Sequence, residues 1–202
     1  MNVVDSGLSV SSTLRIVVLV RHGETAGESS IRYHGANDVP LNDVGRAHAR
    51  AAAQAIGDLT FDVHVASSLS RAWESAEIIR PGAAVVRDDD LREIHFGRWE
   101  GLTREEIRAR DPELDAEWTR AGLDFDFPDG ERRADFTARV DRGLGRAFAL
   151  DIEHLLVVAH KGVVRRGVEL LTHEAPPQPH PELGEVFHLV RSGDRFVRLG
   201  HA

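Results

Sequence analysis

The chain alternates short apolar runs with longer stretches in which apolar residues recur every third or fourth position. Leu14-Arg15-Ile16-Val17-Val18-Leu19-Val20 is apolar apart from Arg15 and rich in β-branched residues. That predicts a strand buried on both faces, as in a parallel sheet. It leads straight into Arg21-His22-Gly23-Glu24-Thr25. A reactive side chain at the C-terminal end of such a strand stands where open α/β sheets bind ligands. Residues 42–58 read as a helix, capped by Asn42 or Asp43, with Ala49, Ala52, Ala53 and Ile56 on one face. A short strand over 61–66 follows. Next comes a helix capped by Ser68 or Ser70, which carries Arg71, Trp73, Ala76 and Ile79 and ends at Pro81-Gly82. A third strand is predicted over 84–87, before Asp88-Asp89-Asp90.

Residues 91–130 have a different texture. Short helices are predicted over 103–110 and 114–121, and from Trp99 to Glu131 there are 11 acidic residues against 4 arginines. This predicts an insertion covering the site rather than a second core. A long helix is expected over 134–152, with Phe136, Val140, Leu144 and Phe148 at helical spacing. A buried strand over 154–159 and a helix over 162–171 follow. Ala175-Pro176-Pro177-Gln178-Pro179 then breaks the chain, and 186–190 and 195–199 pair as a hairpin around Arg191-Ser192-Gly193-Asp194. No internal repeat is present. The alternation of strand and helix predicts an α/β fold of three layers: a mostly parallel central sheet flanked by helices, with a helical insertion over the active site. One domain is expected over 14–202, preceded by a flexible extension over 1–13.

Composition narrows the function. A chain of 202 residues, 42% of them hydrophobic, can bury one sizeable core. A net charge of −8 argues against general affinity for nucleic acid or anionic membranes. A pocket for an anion would therefore have to be positive locally. The absence of cysteine excludes disulfides and thiolate chemistry. Residues 1–13 contain no Lys or Arg and no long apolar run, which argues against a signal peptide. No apolar segment approaches the roughly 20 residues needed to span a bilayer. The expectation is a soluble cytoplasmic protein, with its oligomeric state, a homodimer included, left open. The eleven histidines raise the question of a metal, but none are paired at ligand spacing. Neither metal nor cofactor is expected.

The block at His22 does not stand alone. Arg32, Gly35, Asp38, Pro40-Leu41 and Gly45 follow it, then Ser67-Ser68-Leu69-Ser70-Arg71-Ala72. Leu91-Arg92-Glu93, Phe96-Gly97 and Trp99-Glu100-Gly101 come next, then Pro128-Asp129-Gly130-Glu131, and Val157-Val158-Ala159-His160 closes the set. In content, order and spacing these blocks resemble the histidine phosphatase superfamily, which includes the cofactor-dependent phosphoglycerate mutases. One such block is weak evidence, and five in order are strong.

The resemblance implies a phosphohistidine intermediate at His22. A neutral imidazole, with an ordinary pKa of about 6.5, is a competent nucleophile near pH 7. It must present one ring nitrogen to phosphorus and hold its proton on the other. Arg21 and Arg71 would clamp the phosphoryl oxygens through their guanidinium forks, and Arg71 opens a helix, whose N-terminus favours anions. His160 would donate to a phosphate oxygen beside His22. Glu93 would protonate the leaving oxygen. Thr25, Ser29, Ser30, Gly35 and Lys161 are candidate substrate contacts, whereas Glu24 and Glu100 are expected to make structural hydrogen bonds. Taken singly, each has a plainer reading, as a packed histidine, a surface arginine or one of 33 acidic residues.

Two positions depart from the family pattern. Glu28 stands where the family often has Asn, and a carboxylate there would repel a phosphate dianion. Either it faces away, or Ser29 and Ser30 supply the donor instead. Lys161, the single lysine, follows His160 where Gly is common. Either it helps hold the substrate's phosphate or a second anionic group, or its stem carries it to solvent.

The leading expectation is a phosphomonoester hydrolase acting on a small phosphorylated metabolite. The alternative is a phosphoglycerate mutase. Against it, the tandem Arg132-Arg133 follows Pro128-Asp129-Gly130-Glu131, where the phosphatases usually place Ser, and the acidic insertion suits a triose phosphate acid poorly. A non-catalytic phospholigand-binding domain ranks lower, because both histidines are present. Several segments look like those of α-ribazole phosphatases, which share them with broad-specificity phosphatases.

Overall fold

The computed structural model describes residues 8–175 and 180–200. Within them, six strands form one sheet in the order β3-β2-β4-β1-β5-β6. At its centre β1 (Ile16–Arg21) runs parallel to β4 (His154–Ala159). The parallel side continues through β2 (Val63–Ser67) and β3 (Val85–Asp88). β5 (Val186–Ser192) and β6 (Arg195–Arg198) add an antiparallel edge.

The apolar runs of β1 and β4 are explained by cover on both faces. Alternate side chains of a strand point to opposite sides. Val17, Leu19, Leu155 and Val157 belong to one buried cluster, and Val18, Val20, Leu156 and Val158 to the other. The second cluster is closed by α1 (Asp43–Ile56) and α2 (Ser70–Ile79), through Ala49, Ala52, Ile56, Ala76 and Ile79. The first is closed by α5 (Arg133–Phe148) and α6 (Lys161–Thr172).

The insertion carries α3 (Arg104–Arg110) and α4 (Pro112–Ala121). A capping box of Thr103 and Glu106 starts α3. Trp99, Ile107, Phe125 and Phe127 bury into the same cluster as α5 and α6, so the insertion shares the main core. Trp99 stacks on Phe125 with ring centroids 5.5 Å apart.

Four expectations need correction or restriction. Within 8–13, expected as a flexible extension, Leu8 and Val10 pack on the core, and the Ser11 N–H donates to Phe148 O at 2.9 Å. Two apolar residues set among serines make no run, so they escape a run-based reading. Residues 1–7 and the prolines predicted to break the chain at 176–179 lie outside the described residues. The cap of α2 is neither Ser68 nor Ser70. Asp38 accepts from both the N–H and the Oγ–H of Ser70, each at 2.7 Å, so a distant loop caps this helix. Finally, α5 ends at Phe148 rather than 152, because the chain must turn there to enter β4. No helix among the described residues is long and apolar enough to cross a membrane.

Candidate active site

Strand register builds the site. Arg21 pairs with Ala159 across β1 and β4, so the next residue of each strand, His22 and His160, emerge side by side. Their ring centroids are 5.0 Å apart, edge to face. Both rings are buried. His22 Nδ1 lies 2.7 Å from Gly23 O. A carbonyl can only accept, so Nδ1 carries the proton and the lone pair is on Nε2. The loop closes this tightly because Gly23 and Gly45 have no side chains; a Cβ on either would overlap the other segment's backbone.

His160 Nε2 lies 2.8 Å from Ser67 Oγ, which also accepts the Leu69 N–H at 3.3 Å. Ser67 Oγ can donate to Nε2 or accept from it, and the tautomer suited to anion binding is the one in which the hydroxyl donates to Nε2. In that tautomer the ring proton is on Nδ1, a buried atom with no hydrogen-bond partner in the protein. Burial pushes both histidines well below the usual imidazole value, with Arg71 and Arg21 adding to the effect. Both rings are neutral at pH 7.

The two arginines differ. Arg21 lines the cleft beside His22, donates from Nη1 to Pro181 O at 2.9 Å, and leaves its buried Nε without a partner. Arg71 is wholly enclosed. Its Nη1 donates to Asn37 O and its Nη2 to His34 O and Gly35 O, at 2.7 to 2.9 Å. The open fork expected of Arg71 is thus largely committed to folding the 34–37 loop, and its buried Nε is unpartnered. Burial lowers its pKa to about 10, against the pull of Glu93, Asp38 and Glu100, so it stays charged at neutral pH.

Glu93 lines the same cleft. Its Oε1 accepts the Ile94 N–H at 3.0 Å and its Oε2 the Gly162 N–H at 3.1 Å. Arg139 fixes the segment that carries it by donating to the carbonyls of Asp90, Arg92 and Glu93, while Glu131 pairs with the same guanidinium. Gly162 makes room: a Cβ there would lie 2.6 Å from Glu93 Oε1.

Ser29, Ser30 and Lys161 also line the cleft, whose volume is about 160 Å³. Thr25 and Gly35 do not, and Arg71 and His160 lie wholly buried behind the lining. Thr25 Oγ1 bonds Ser29 Oγ at 2.7 Å, and Gly35 donates its N–H to Glu100. Glu28, at φ 59°, is exposed and does not line the cleft; its carboxylate pairs with Arg32, which does. Glu24 accepts the N–H groups of Thr25 and Ser30, and Glu100 those of Gly35, Ala36 and Phe96; both are structural. Lys161 is half-buried, and burial, with Arg21 and Arg165 near, lowers its pKa. Ser67, Arg139, Tyr33 and Phe96 are the contributors that sequence reasoning gave no role. Ser67 and Phe96 lie inside quoted blocks, whereas Arg139 is one of 24 arginines with nothing local to single it out.

Among the described residues no three His, Asp or Glu side chains gather as a metal site. A parallel sheet that ends in two adjoining neutral histidines defines a class, and the model of the histidine phosphatase superfamily (branch 1) matches residues 17–197: the chain belongs to that superfamily. It is 32% identical over 173 residues to 2,3-bisphosphoglycerate-dependent phosphoglycerate mutase 2 of Gloeobacter violaceus, covering 82% of this chain and 79% of the relative. It is 32% identical over 149 residues to the adenosylcobalamin/alpha-ribazole phosphatase of Salmonella typhimurium, covering 72% and 74%. Among solved structures, a mycobacterial glucosyl-3-phosphoglycerate phosphatase in complex with VO3 superposes with a TM-score of 0.75 at 29% identity, over 91% of this chain and 96% of that one. The chain is a phosphatase or a mutase.

Proposed function

We propose that this chain hydrolyses a small phosphorylated metabolite through a phosphohistidine on His22. The observation that carries the reading is a buried, neutral His22, its Nδ1–H tied to Gly23 O, in a cleft it shares with Arg21 and Glu93. In the first step Nε2 attacks phosphorus, the bond from phosphorus to the ester oxygen breaks, and Glu93 gives that oxygen its proton. Arg21, the charge of Arg71, and the Nδ1–H of His160 stabilise the transferring phosphoryl group. In the second step water loses a proton to Glu93 and attacks phosphorus. The P–N bond breaks, phosphate leaves, and His22 returns to its neutral form.

The Gloeobacter relative keeps a second reading open, in which a second hydroxyl of the substrate replaces water. Hydrolysis is favoured by the roomy, partly aromatic cleft of about 390 Å³ that adjoins the His22 pocket, more than a three-carbon acid would fill. The test is to quench the enzyme with ³²P-labelled substrate in alkali. Label should sit on the protein in an alkali-stable, acid-labile bond, disappear in His22→Ala, and end as free phosphate. Label that survives in His22→Ala would overturn the assignment. Label recovered as an isomeric ester would establish the mutase.

A further inference from the structure

The larger cleft opens beside the His22 pocket and shares Tyr33, Glu93, Phe96 and Lys161 with it. Its walls differ in chemistry. One wall is aromatic, built from the first loop and the insertion. The Tyr33 ring stands 5.3 Å from both Phe96 and Trp118 by centroid, and Phe127 lies 4.7 Å from Phe96. The other wall is the start of α5 and the first turns of α6, and it presents Arg133, Lys161 and Arg165.

Glu93 attracts all three of these cations and Glu169 attracts Arg165, but neither forms an ion pair with them. Among the described residues none of them has a salt-bridge partner within 4 Å, and the buried Nε atoms of Arg133 and Arg165 have no hydrogen-bond acceptor. The acids on the cleft are otherwise engaged or exposed. Glu93 accepts two backbone N–H groups, Glu169 is bonded by Arg166, and Asp124 faces solvent. Arg166 is itself held by Asp141. The surplus is therefore positive, in a chain of net charge −8. Like charges gathered where water is partly excluded repel one another, and an anion among them removes that repulsion.

We propose that this cleft receives the leaving group of the substrate, and that the group carries a flat apolar body and a second anion, a carboxylate or a phosphate. The ring would lie on Tyr33, Phe96 and Trp118, and the anion would be held by Arg133, Lys161 and Arg165. The proposal rests on the reading of the His22 pocket as the phosphoryl site.

Calorimetry with non-hydrolysable arylphosphonates tests it. The probes are phenylphosphonate bearing a 4-carboxylate, a 4-phosphonate or a 4-carboxamide, each made directly on the ring and through an ethylene spacer. One or both anionic groups should bind roughly tenfold or more tightly than the amide, as expected for one charge-assisted hydrogen bond. Which anion gains more identifies the source. Arg165→Gln, whose side chain lines only the larger cleft, should lose the preference, and Lys161→Met should reduce it. Circular dichroism melts establish that each variant is folded. Equal affinity for anion and amide at both lengths, or a preference that survives in both folded variants, overturns the subsite. Turnover of the matching phosphate esters is read separately. Preference without turnover keeps the subsite and removes hydrolysis, and turnover without preference does the reverse.

Discussion

His22 and His160 are enclosed, and each faces the charges of Arg71 and Arg21, so a proton on either ring would be held against its surroundings. Their folded pKa values lie below the unfolded one. Stability from these groups is therefore fully present above about pH 6.5 and is lost as the pH falls toward the lowered values. Below pH 6.5 the slope approaches about 1.4 kcal/mol per pH unit for each ring, and His64, lowered by burial and by Arg80, acts in the same direction. Urea denaturation at pH 7.5 and 5.5 should show a loss on the order of 1–3 kcal/mol, smaller in His160→Gln. An equal midpoint at the two pH values would contradict the burial of the neutral rings. The same residues show where sequence reading stops. His22 and His160 were legible because each ends an apolar run. The tautomers were not, since they depend on Gly23 O and on Ser67, and a carbonyl has no signature in the sequence.

Among the elements, α6 does most to shape the site. Its first two positions bring Lys161 to the cleft and, at Gly162, both a backbone N–H to Glu93 and the space that Glu93 occupies. Gly162→Ala sets two effects against each other. Alanine suits a helix better by about 1 kcal/mol, yet its Cβ would lie 2.6 Å from Glu93 Oε1 and 2.9 Å from Phe136 Cζ. The melting temperature should change little, while kcat/KM on an alkyl phosphate should fall on the order of a hundredfold if Glu93 is the acid proposed above, because it is displaced. Unchanged kcat/KM would mean that Glu93 moves without consequence and would weaken its role. The helices were legible from their apolar spacing, and Asn42 caps α1 as expected, its Oδ1 accepting the Gly45 N–H. The cap of α2 was not legible, because Asp38 lies far back in the chain and no local pattern links it to Ser70. Arg71 was singled out by its position at the start of a helix, as a phosphate clamp; that it clasps the 34–37 loop follows from three carbonyls that no residue type announces.

At the scale of the molecule, the parallel centre of the sheet was legible from Val17–Val20 and Leu155–Val158, whose runs have no polar face. The strand order was not, because apolar runs of this kind are interchangeable as partners and only packing decides among them. The placing of β1 against β4 matters most, since Arg21 and Ala159 end their strands in register. Two chain segments separated by most of the domain must therefore find each other before either histidine has its neighbour. The helices form from local contacts, but this pairing closes a long loop and is a slow event by its topology. Function should consequently be the last property regained when the denatured chain is diluted into buffer. Far-UV circular dichroism should recover in the early phases, and turnover only with the slowest one. Turnover that appears together with the first helical signal would place β1–β4 pairing at the start of folding, as a nucleus rather than a final join.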